Sequence, residues 1–263
     1  MRIVRIRLED GRSSYASMED DCYRLLKDSP FEKQEFSGES VSLDNAKLLC
    51  PVEPKQIIAI GLNYRKHAEE RNMPPPANPL IFAKTCNALI GPEDAIILPK
   101  MAPDEVDFEA ELVMVIGSLA KNVPLEKAGE HICGFSCGND ISARDCQHRL
   151  DKQWTRGKSF DSFAPLGPWI ETGINPENLR ISLKLNGKTM QDSNTSDMIF
   201  SCHELLSYVS RCMTLYPGSV IMTGTPSGVG AARTPPVFLR EGDNLCVEIE
   251  GIGRLKNSVT KED

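Results

Sequence analysis

Short apolar runs closed by turn-forming residues restrict the fold of this chain more than any other feature. Residues 57–60 form such a run, which Gly61 ends. Residues 181–185 lead into Asn186-Gly187, a pair that favours a tight β-hairpin. Residues 201–213 have helical periodicity, but no regular strand–helix alternation runs through the chain. The pattern predicts a β-rich α+β protein.

Composition and charge restrict the class of protein. Hydrophobic residues make up 40% and charged residues 25%, the balance of a folded globular chain. The net charge of -7 disfavours nucleic acid as a partner, because a protein that binds the phosphate backbone of a nucleic acid needs an excess of Lys and Arg. No apolar run reaches the roughly 18 residues of a membrane span, and the first residues lack the layout of a secretory signal. Nine scattered cysteines indicate reduced thiols, which predicts a cytoplasmic location.

A proline-containing joint at residues 50–54 divides the sequence. Before it, Val4, Ile6 and Leu8 alternate with arginines, as in a strand. We therefore expect a small, strand-rich N-terminal domain over residues 1–50. The catalytic domain is expected over residues 51–263.

Three acidic residues lie at the ends of predicted strands. In the predicted strand 108–116, side chains alternate between faces, so Glu109 and Glu111 point to the same side. Asp140 closes another predicted strand, residues 131–138. Carboxylates that converge at strand ends suit a hard cation such as Mg²⁺ or Mn²⁺. On its own, the glutamate pair also fits a solvated strand face.

A histidine and a glutamate lie three residues apart on a predicted short helix that Asn63 could cap. His67 and Glu70 would be neighbours on one face of that helix, which must end before Pro74. A carboxylate beside an imidazole orients it and raises its basicity, as a general base requires. An exposed histidine on a polar helix is the alternative.

Five motifs lie in order at residues 60–67, 106–112, 138–145, 158–161 and 222–230. Together they resemble the fumarylacetoacetate hydrolase family. The resemblance runs from about residue 51 to the C-terminus, and it implies a mixed β-sandwich roll that assembles as a homodimer. It also implies a metal held by Glu109, Glu111 and Asp140, namely Mg²⁺ or Mn²⁺, with Ca²⁺ able to replace it in a crystal.

The same resemblance assigns the remaining site residues. His67 and Glu70 match an acid–base pair on a lid, and Lys158 matches a lysine that faces the substrate. Substrate contacts are implied for Arg144, Gln147 and Thr225, the last within a glycine-rich turn whose amides would face a substrate carboxylate.

The predicted function is hydrolysis of a C–C bond in acylpyruvate-type 2-oxo, 2,4-dioxo or enol acids, as in aromatic catabolism. His67, oriented by Glu70, would activate water, and the metal and Lys158 would hold the resulting enolate. Two related activities stay open: isomerisation or tautomerisation of a hydroxydienoate diacid or similar keto acid, and decarboxylation of oxaloacetate. A non-catalytic member that binds metal or ligand is an alternative of another class.

Other motifs carry less weight. Cys133, Cys137, Cys146 and His148 lack the spacing of a zinc site, and we expect core thiols. The sequence has neither a phosphate-binding loop nor a G-x-S-x-G elbow. Redox sensing by Cys146, near Arg144, stays open. Positive charges near Arg65, Arg71 and Arg156 would suit a second substrate carboxylate.

Overall fold

The structure is a computed structural model and describes residues 1–262. Over this range the chain forms strands and short helices, as the apolar runs predict. The strands are β1 (Arg2–Leu8), β2 (Ser13–Met18), β3 (Cys22–Leu26), β4 (Phe36–Ser42), β5 (Ala46–Leu49), β6 (Ile57–Gly61), β7 (Leu80–Lys84), β8 (Leu89–Ile90), β9 (Ile96–Leu98), β10 (Val106–Asp107), β11 (Ala110–Ile116), β12 (Ile132–Asn139), β13 (Ser142–Ala143), β14 (Ala164–Glu171), β15 (Arg180–Leu185), β16 (Lys188–Asn194), β17 (Val220–Met222), β18 (Asn244–Ile249) and β19 (Gly253–Lys261). The α-helices are α1 (Arg65–Glu70), α2 (Thr155–Lys158) and α3 (Cys202–Cys212).

The strands form two main sheets. The larger has the order β4-β3-β2-β1-β14-β12-β11-β17-β6-β7, with β5 on β1 and β8 on β14. The second has the order β16-β15-β18-β19-β9. Both are mixed, because β17 runs parallel to β6 and β19 parallel to β9. The predicted β-rich α+β class with a mixed sheet is confirmed.

The N-terminal strands continue the larger sheet. Strand β1 pairs with β14 through Arg2 opposite Glu171 and Ile3 opposite Ile170. Beyond that joint, the first strands have a small core of their own, formed by Val4, Ile6, Ala16, Tyr23 and Leu25. The division of the chain at residue 50 stays a prediction.

Two central strands position the candidate site. All seven residues of β11 are buried, and β12 and β17 pair with its two edges. Strand β12 runs antiparallel to β11, with Ala110 opposite Asn139. The beginning of β11 and the end of β12 therefore meet at one edge of the sheet.

The first two residues of the predicted strand 108–116, Phe108 and Glu109, lie outside the strand, and β11 begins at Ala110. Side-chain amides take the place of a neighbouring strand here. The amide N–H of Glu109 donates to Asn139 Oδ1 over 2.9 Å, and that of Ala110 donates to Gln191 Oε1 over 2.9 Å. Strand alternation alone therefore does not fix the direction of the Glu109 side chain.

Two helix predictions differ from the structure. The helix expected over residues 145–152 is a π-helix, Cys146–Leu150, which the side chain of Asp145 caps. Ser142, the predicted cap, lies in β13. Helix α1 begins after Tyr64, and the side-chain amide of Asn63 instead donates to the carbonyls of Phe200 and Thr223.

Two local predictions agree with the structure. Asn186 and Gly187 both have positive φ angles, 50° and 79°, and join β15 to β16. Helix α3 begins with a capping box between Ser201 and Glu204. Within residues 1–262, no helix has the length and apolar character needed to cross a membrane.

Candidate active site

Three buried carboxylates converge where β11 begins and β12 ends. Glu109, Glu111 and Asp140 are 6%, 1% and 0% exposed, and each offers an oxygen within 4.8 Å of the others. The backbone helps to join them, since the amide of Asp140 donates to the carbonyl of Glu109 over 2.9 Å. The structure thus brings together the three acids that were predicted as metal ligands.

Two lysines approach this cluster. The ammonium of Lys158 lies 2.7 Å from Glu109 Oε2 and 2.5 Å from Asp140 Oδ2. Lys84, at the end of β7, places its ammonium 2.5 Å from Asp140 Oδ1 and 3.2 Å from the carbonyl of Ile141. Asp140 is therefore held between two ammonium groups. Lys158 was predicted at the site, whereas Lys84 was not.

A buried arginine ties the cluster to a fourth acid. Arg144 donates to Asp107 Oδ2 over 2.9 Å, to Glu109 Oε1 over 2.7 Å and to Gln147 Oε1 over 2.8 Å. Asp107 is fully buried and also accepts the backbone amides of Gly230 and Ala231. Arg144 and Gln147 thus lie at the site, as predicted, and Asp107 is the anchor that the sequence analysis did not assign.

The charges of this cluster do not balance. Its buried acids are Asp107, Glu109, Glu111 and Asp140, and its buried cations are Lys84, Arg144 and Lys158. The carboxylate left without an ion pair within residues 1–262 is Glu111, whose hydrogen-bond donor is the amide of Gly224 at 2.8 Å.

The pKa values follow this arrangement. Burial opposes ionisation of Glu109, but Arg144 and Lys158 outweigh it and hold the pKa of that carboxyl below its usual range. Burial, reinforced by the charges of Asp140 and Glu109, raises the pKa of Glu111 well above its usual value. Burial alone would lower the pKa of Lys158, yet Asp140 and Glu109 raise it.

This donor set fits a divalent metal ion. All three acids offer oxygen ligands, which Mg²⁺ and Mn²⁺ prefer, and each carboxylate oxygen has a second lone pair beside the one that accepts a lysine or amide hydrogen. A cation next to Glu111 would relieve the repulsion that raises its pKa. The residues present therefore suit the group that the sequence predicted.

The predicted acid–base pair forms. His67 Nδ1 lies 3.0 Å from Glu70 Oε2, and His67 is 8% exposed on the cavity-facing side of α1. The other oxygen of Glu70 accepts the backbone amide of Gly228 over 2.9 Å. This double contact fixes the Glu70 carboxylate, which in turn orients the imidazole and leaves Nε2 for another partner.

The glycine-rich turn differs from its predicted role. Its amides at Gly224, Gly228 and Gly230 donate to carboxylates of the protein itself, those of Glu111, Glu70 and Asp107. Gly228 has a φ of +101°, and a Cβ there would lie 2.3 Å from the carbonyl oxygen of Met190. A side chain would displace the turn, so glycine at this position keeps its amide directed at Glu70.

Thr225 also has partners within the protein. Its hydroxyl donates to the carbonyl of Ala110 over 2.9 Å and accepts from Gln191 Nε2 over 2.8 Å. The hydroxyl hydrogen is therefore already used, although Thr225 lines the cavity. Contact with a substrate is restricted to the remaining lone pair, the methyl group and the backbone.

One cavity of about 130 Å³ connects these groups. Eight of the nine predicted site residues line it. The ninth, Glu70, does not line the cavity but is hydrogen-bonded to His67, which does. Its other walls were not predicted: Phe82 and Trp154 pack edge to face with ring centroids 5.3 Å apart, beside Leu80 and Met73. The cavity thus has a charged floor and an apolar, partly aromatic wall.

The remaining sequence candidates fall outside the site. The free cysteines do not join His148 in a metal cluster; within residues 1–262, Glu109, Glu111 and Asp140 form the candidate cation group. Burial raises the pKa of the Cys146 thiol, which argues against a reactive thiolate.

Of the three arginines considered for a second carboxylate, only Arg71 lines the cavity within the described range. Arg65 donates to the carbonyls of Ser196 and Met198, and Arg156 pairs with Asp151 over 2.6 Å. The cavity therefore contains one of these three arginines.

The sequence contains little that would predict Lys84 or Gln191 at the site. Lys84 ends an apolar strand, and a lysine there usually extends into solvent. Gln191 lies 81 residues beyond Ala110, to whose amide its side chain binds. Both act through contacts distant in sequence, which periodicity does not reveal.

Comparison with known proteins agrees with this geometry. The family model described as fumarylacetoacetate (FAA) hydrolase C-terminal matches residues 56–260, and one described as Rv2993c-like, N-terminal matches residues 1–51. The chain is 47% identical over 216 residues to a Bos taurus protein named oxaloacetate tautomerase FAHD2A, mitochondrial. The matched region covers 80% of this chain and 68% of the Bos taurus protein.

Solved structures are similar over the whole length. A 5-carboxymethyl-2-hydroxymuconate delta-isomerase from Mycobacterium smegmatis superposes with a TM-score of 0.91 at 41% identity and covers 100% of both chains. A 2-hydroxyhepta-2,4-diene-1,7-dioate isomerase from Mycobacterium marinum gives 0.89 at 39% identity and covers 100% of this chain and 99% of that one.

The fold and the buried acidic site define an enzyme family whose members act on small molecules. The chain belongs to the fumarylacetoacetate hydrolase family, as predicted.

Proposed function

We propose that this protein is a divalent-metal-dependent tautomerase or isomerase that interconverts the keto and enol forms of 2-oxo acids. The observation that carries the proposal is the meeting, in one cavity, of a three-carboxylate cation site, an imidazole oriented by a carboxylate and a buried ammonium. Tautomerisation needs a proton acceptor at carbon and stabilisation of the negative charge that develops on oxygen. The cavity offers a group for each need.

His67 suits the proton transfer. In the keto-to-enol direction, one proton leaves C3 of the substrate, its electron pair forms the C2–C3 double bond, and the C2 carbonyl oxygen gains a proton. His67 Nε2 can accept the first proton, since Nδ1 is bound to Glu70. Glu70 carries negative charge beside the ring and stabilises the imidazolium that results.

Lys158 is suited to stabilise the negative charge that develops on the C2 oxygen of the substrate. Its raised pKa keeps the ammonium protonated at neutral pH, so it acts as a donor and a positive charge, not as a base. Two of its three N–H groups bind Glu109 and Asp140, which leaves one for the substrate oxygen. A divalent ion at the three carboxylates would supply Lewis-acid polarisation of the substrate carbonyl.

Arg144 completes the anion-binding floor. It is fixed by Asp107 and Glu109, so its guanidinium needs no reorganisation when a substrate carboxylate arrives. Binding of an anionic substrate in a protein of net charge -7 depends on such local positive charge.

The relatives support tautomerisation or isomerisation more than the C–C hydrolysis that the sequence analysis put first. The named relatives are an oxaloacetate tautomerase and two isomerases. The same His67–Glu70 pair could activate water, so acylpyruvate hydrolysis is the second candidate.

One assay separates these reactions. Purified protein with Mg²⁺ or Mn²⁺ is mixed with enol oxaloacetate, and the loss of enol absorbance is followed beside pyruvate release. Acylpyruvate cleavage is measured in parallel. We expect accelerated enol loss without pyruvate release, and slower or no cleavage. Cleavage or decarboxylation without accelerated enol loss would overturn the proposal, and the Glu111→Gln variant serves as the inactive control.

A further inference from the structure

The cavity contains one arginine that the proposed chemistry does not use. Arg71 follows the last residue of α1, is half-buried and lines the same cavity as the three carboxylates. Within residues 1–262 its guanidinium has no hydrogen bond or ion pair, whereas Arg144 and Lys158 are both paired with acids. An unpaired arginine in a cavity of an acidic protein is available to an anion.

His148 lines the same cavity as Arg71. It belongs to the π-helix, an element separate from α1. His148 is largely exposed, but partial burial of its ring and the positive charges of Arg144 and Arg71 lower its pKa below that of a free histidine. Its ring is therefore neutral near pH 7 and can donate one hydrogen bond to a ligand in the cavity.

An apolar wall forms the rest of the cavity lining. Met73, Leu80, Phe82 and Trp154 form this wall, which offers no charge to compensate Arg71, and the ring of Phe82 lies 5.0 Å from the Lys158 ammonium. A substrate with a carboxylate only at its 2-oxo end would leave the Arg71 guanidinium without an anion. A substrate with a second carboxylate would satisfy it.

We propose that Arg71, assisted by His148, is a specificity determinant that binds a second, distal carboxylate, so that the enzyme acts on 2-oxo dicarboxylic acids in preference to monocarboxylic ones. This inference rests on the proposed tautomerase function for its kinetic consequence. The recognition itself is a binding event and can be measured without turnover. A bidentate arginine–carboxylate contact contributes about 10- to 100-fold in affinity.

The kinetic test uses two substrates that differ only at the distal group, oxaloacetate and its C4 methyl ester. For the wild type we expect kcat/KM to favour oxaloacetate by about 10- to 100-fold, mainly through KM. Arg71→Gln should lower kcat/KM for oxaloacetate until the diacid and the ester are used about equally, and Arg71→Lys should restore part of the preference. Lys66→Gln removes a charge from an exposed position of the same helix and should preserve the preference.

A binding test separates the two proposals. 3,3-Dimethyloxaloacetate has no hydrogen at C3 and cannot enolise, so calorimetry with it and its C4 methyl ester reports recognition alone. Preference for the diacid that Arg71→Gln abolishes supports the inference even if the wild type tautomerises neither substrate, which would overturn only the proposed function. Equal affinity for diacid and ester, or a preference that survives Arg71→Gln, would overturn the inference.

Discussion

The backbone amide of Asp140 donates a hydrogen bond to the carbonyl oxygen of Glu109 over 2.9 Å. This contact joins the end of β12 to the residue before β11, and it sets two acids 31 residues apart in sequence beside each other. Glu111 follows on β11 and completes the cluster. A pairing register, rather than a local motif, therefore creates the candidate metal site.

The unpaired carboxyl group of Glu111 gives a prediction with two opposite effects. Glu111→Gln keeps the shape of the side chain and can still accept the Gly224 amide, but it removes a proposed metal ligand and a buried carboxyl group that has no ion pair. Metal affinity should fall by about 100-fold or more, while the metal-free variant should melt no lower than the metal-free wild type. Calorimetry and thermal melting measure the two effects.

Glu248→Gln is the matched control for this substitution, because Glu248 lies on β18 in a solvent-exposed pair with Arg254. Glu248→Gln should change neither the metal affinity nor the melting temperature. Metal affinity unaltered by Glu111→Gln would show that Glu111 is not a ligand.

Lys84 is predicted to position Asp140. Lys84→Met removes one of the two ammonium groups that hold this carboxylate, and the lysine side chain is fully buried. We expect metal affinity to fall about 10- to 100-fold and unfolding free energy to fall by about 3 kcal/mol. Lys47→Met breaks an exposed pair with Asp94 and should change stability by less than about 1 kcal/mol. Equal effects of the two substitutions would argue against a positioning role.

The acid–base pair should act as a unit. His67→Gln should lower the rate of enol loss by about 10²- to 10⁴-fold. Glu70→Gln should lower it less, and the double variant should be little worse than His67→Gln alone, since Glu70 acts through His67. His203→Gln, on α3 away from the cavity, is the control. Strictly additive losses would contradict the coupling.

The pH response of His148 provides an independent probe of the distal end of the cavity. The folded-state pKa of His148 lies below the 6.5 of a free histidine, so the ring favours its neutral form. The folded protein therefore loses stability from this group as pH falls below about 6.5, and the loss is small because the side chain is largely exposed.

NMR titration of His148 tests this arrangement. Arg71→Gln should raise the pKa towards 6.5, because it removes a repelling charge, and Lys66→Gln should not. An unaltered His148 pKa in the Arg71 variant would place the two side chains too far apart to share an anion.

The sequence predicted some parts of this molecule well because the responsible signals are local. Asn186-Gly187 specifies its own turn, and the apolar periodicity of residues 201–213 specifies helix α3. The resemblance in the motifs identified the family. The motifs also named residues that the structure gathers around one cavity.

The parts that the sequence did not predict depend on distant contacts. Side-chain amides of Asn139 and Gln191 bind the backbone where β11 begins, and neither lies near it in sequence. Strand alternation alone therefore does not explain why Glu109 and Glu111 meet, because Glu109 lies outside β11. The glycine-rich turn was expected to bind substrate, yet its amides bind the protein's own carboxylates, because only the fold brings Glu70 and Asp107 to that turn.

The rate of oxaloacetate enol loss, measured on one preparation before metal removal, after complete removal with a chelator and after readdition of Mg²⁺ or Mn²⁺, tests the central claim most directly. The arrangement of Glu109, Glu111 and Asp140 predicts that removal lowers the rate to that of the uncatalysed reaction and that readdition restores it. A rate that stays unchanged in the metal-free protein would contradict the account.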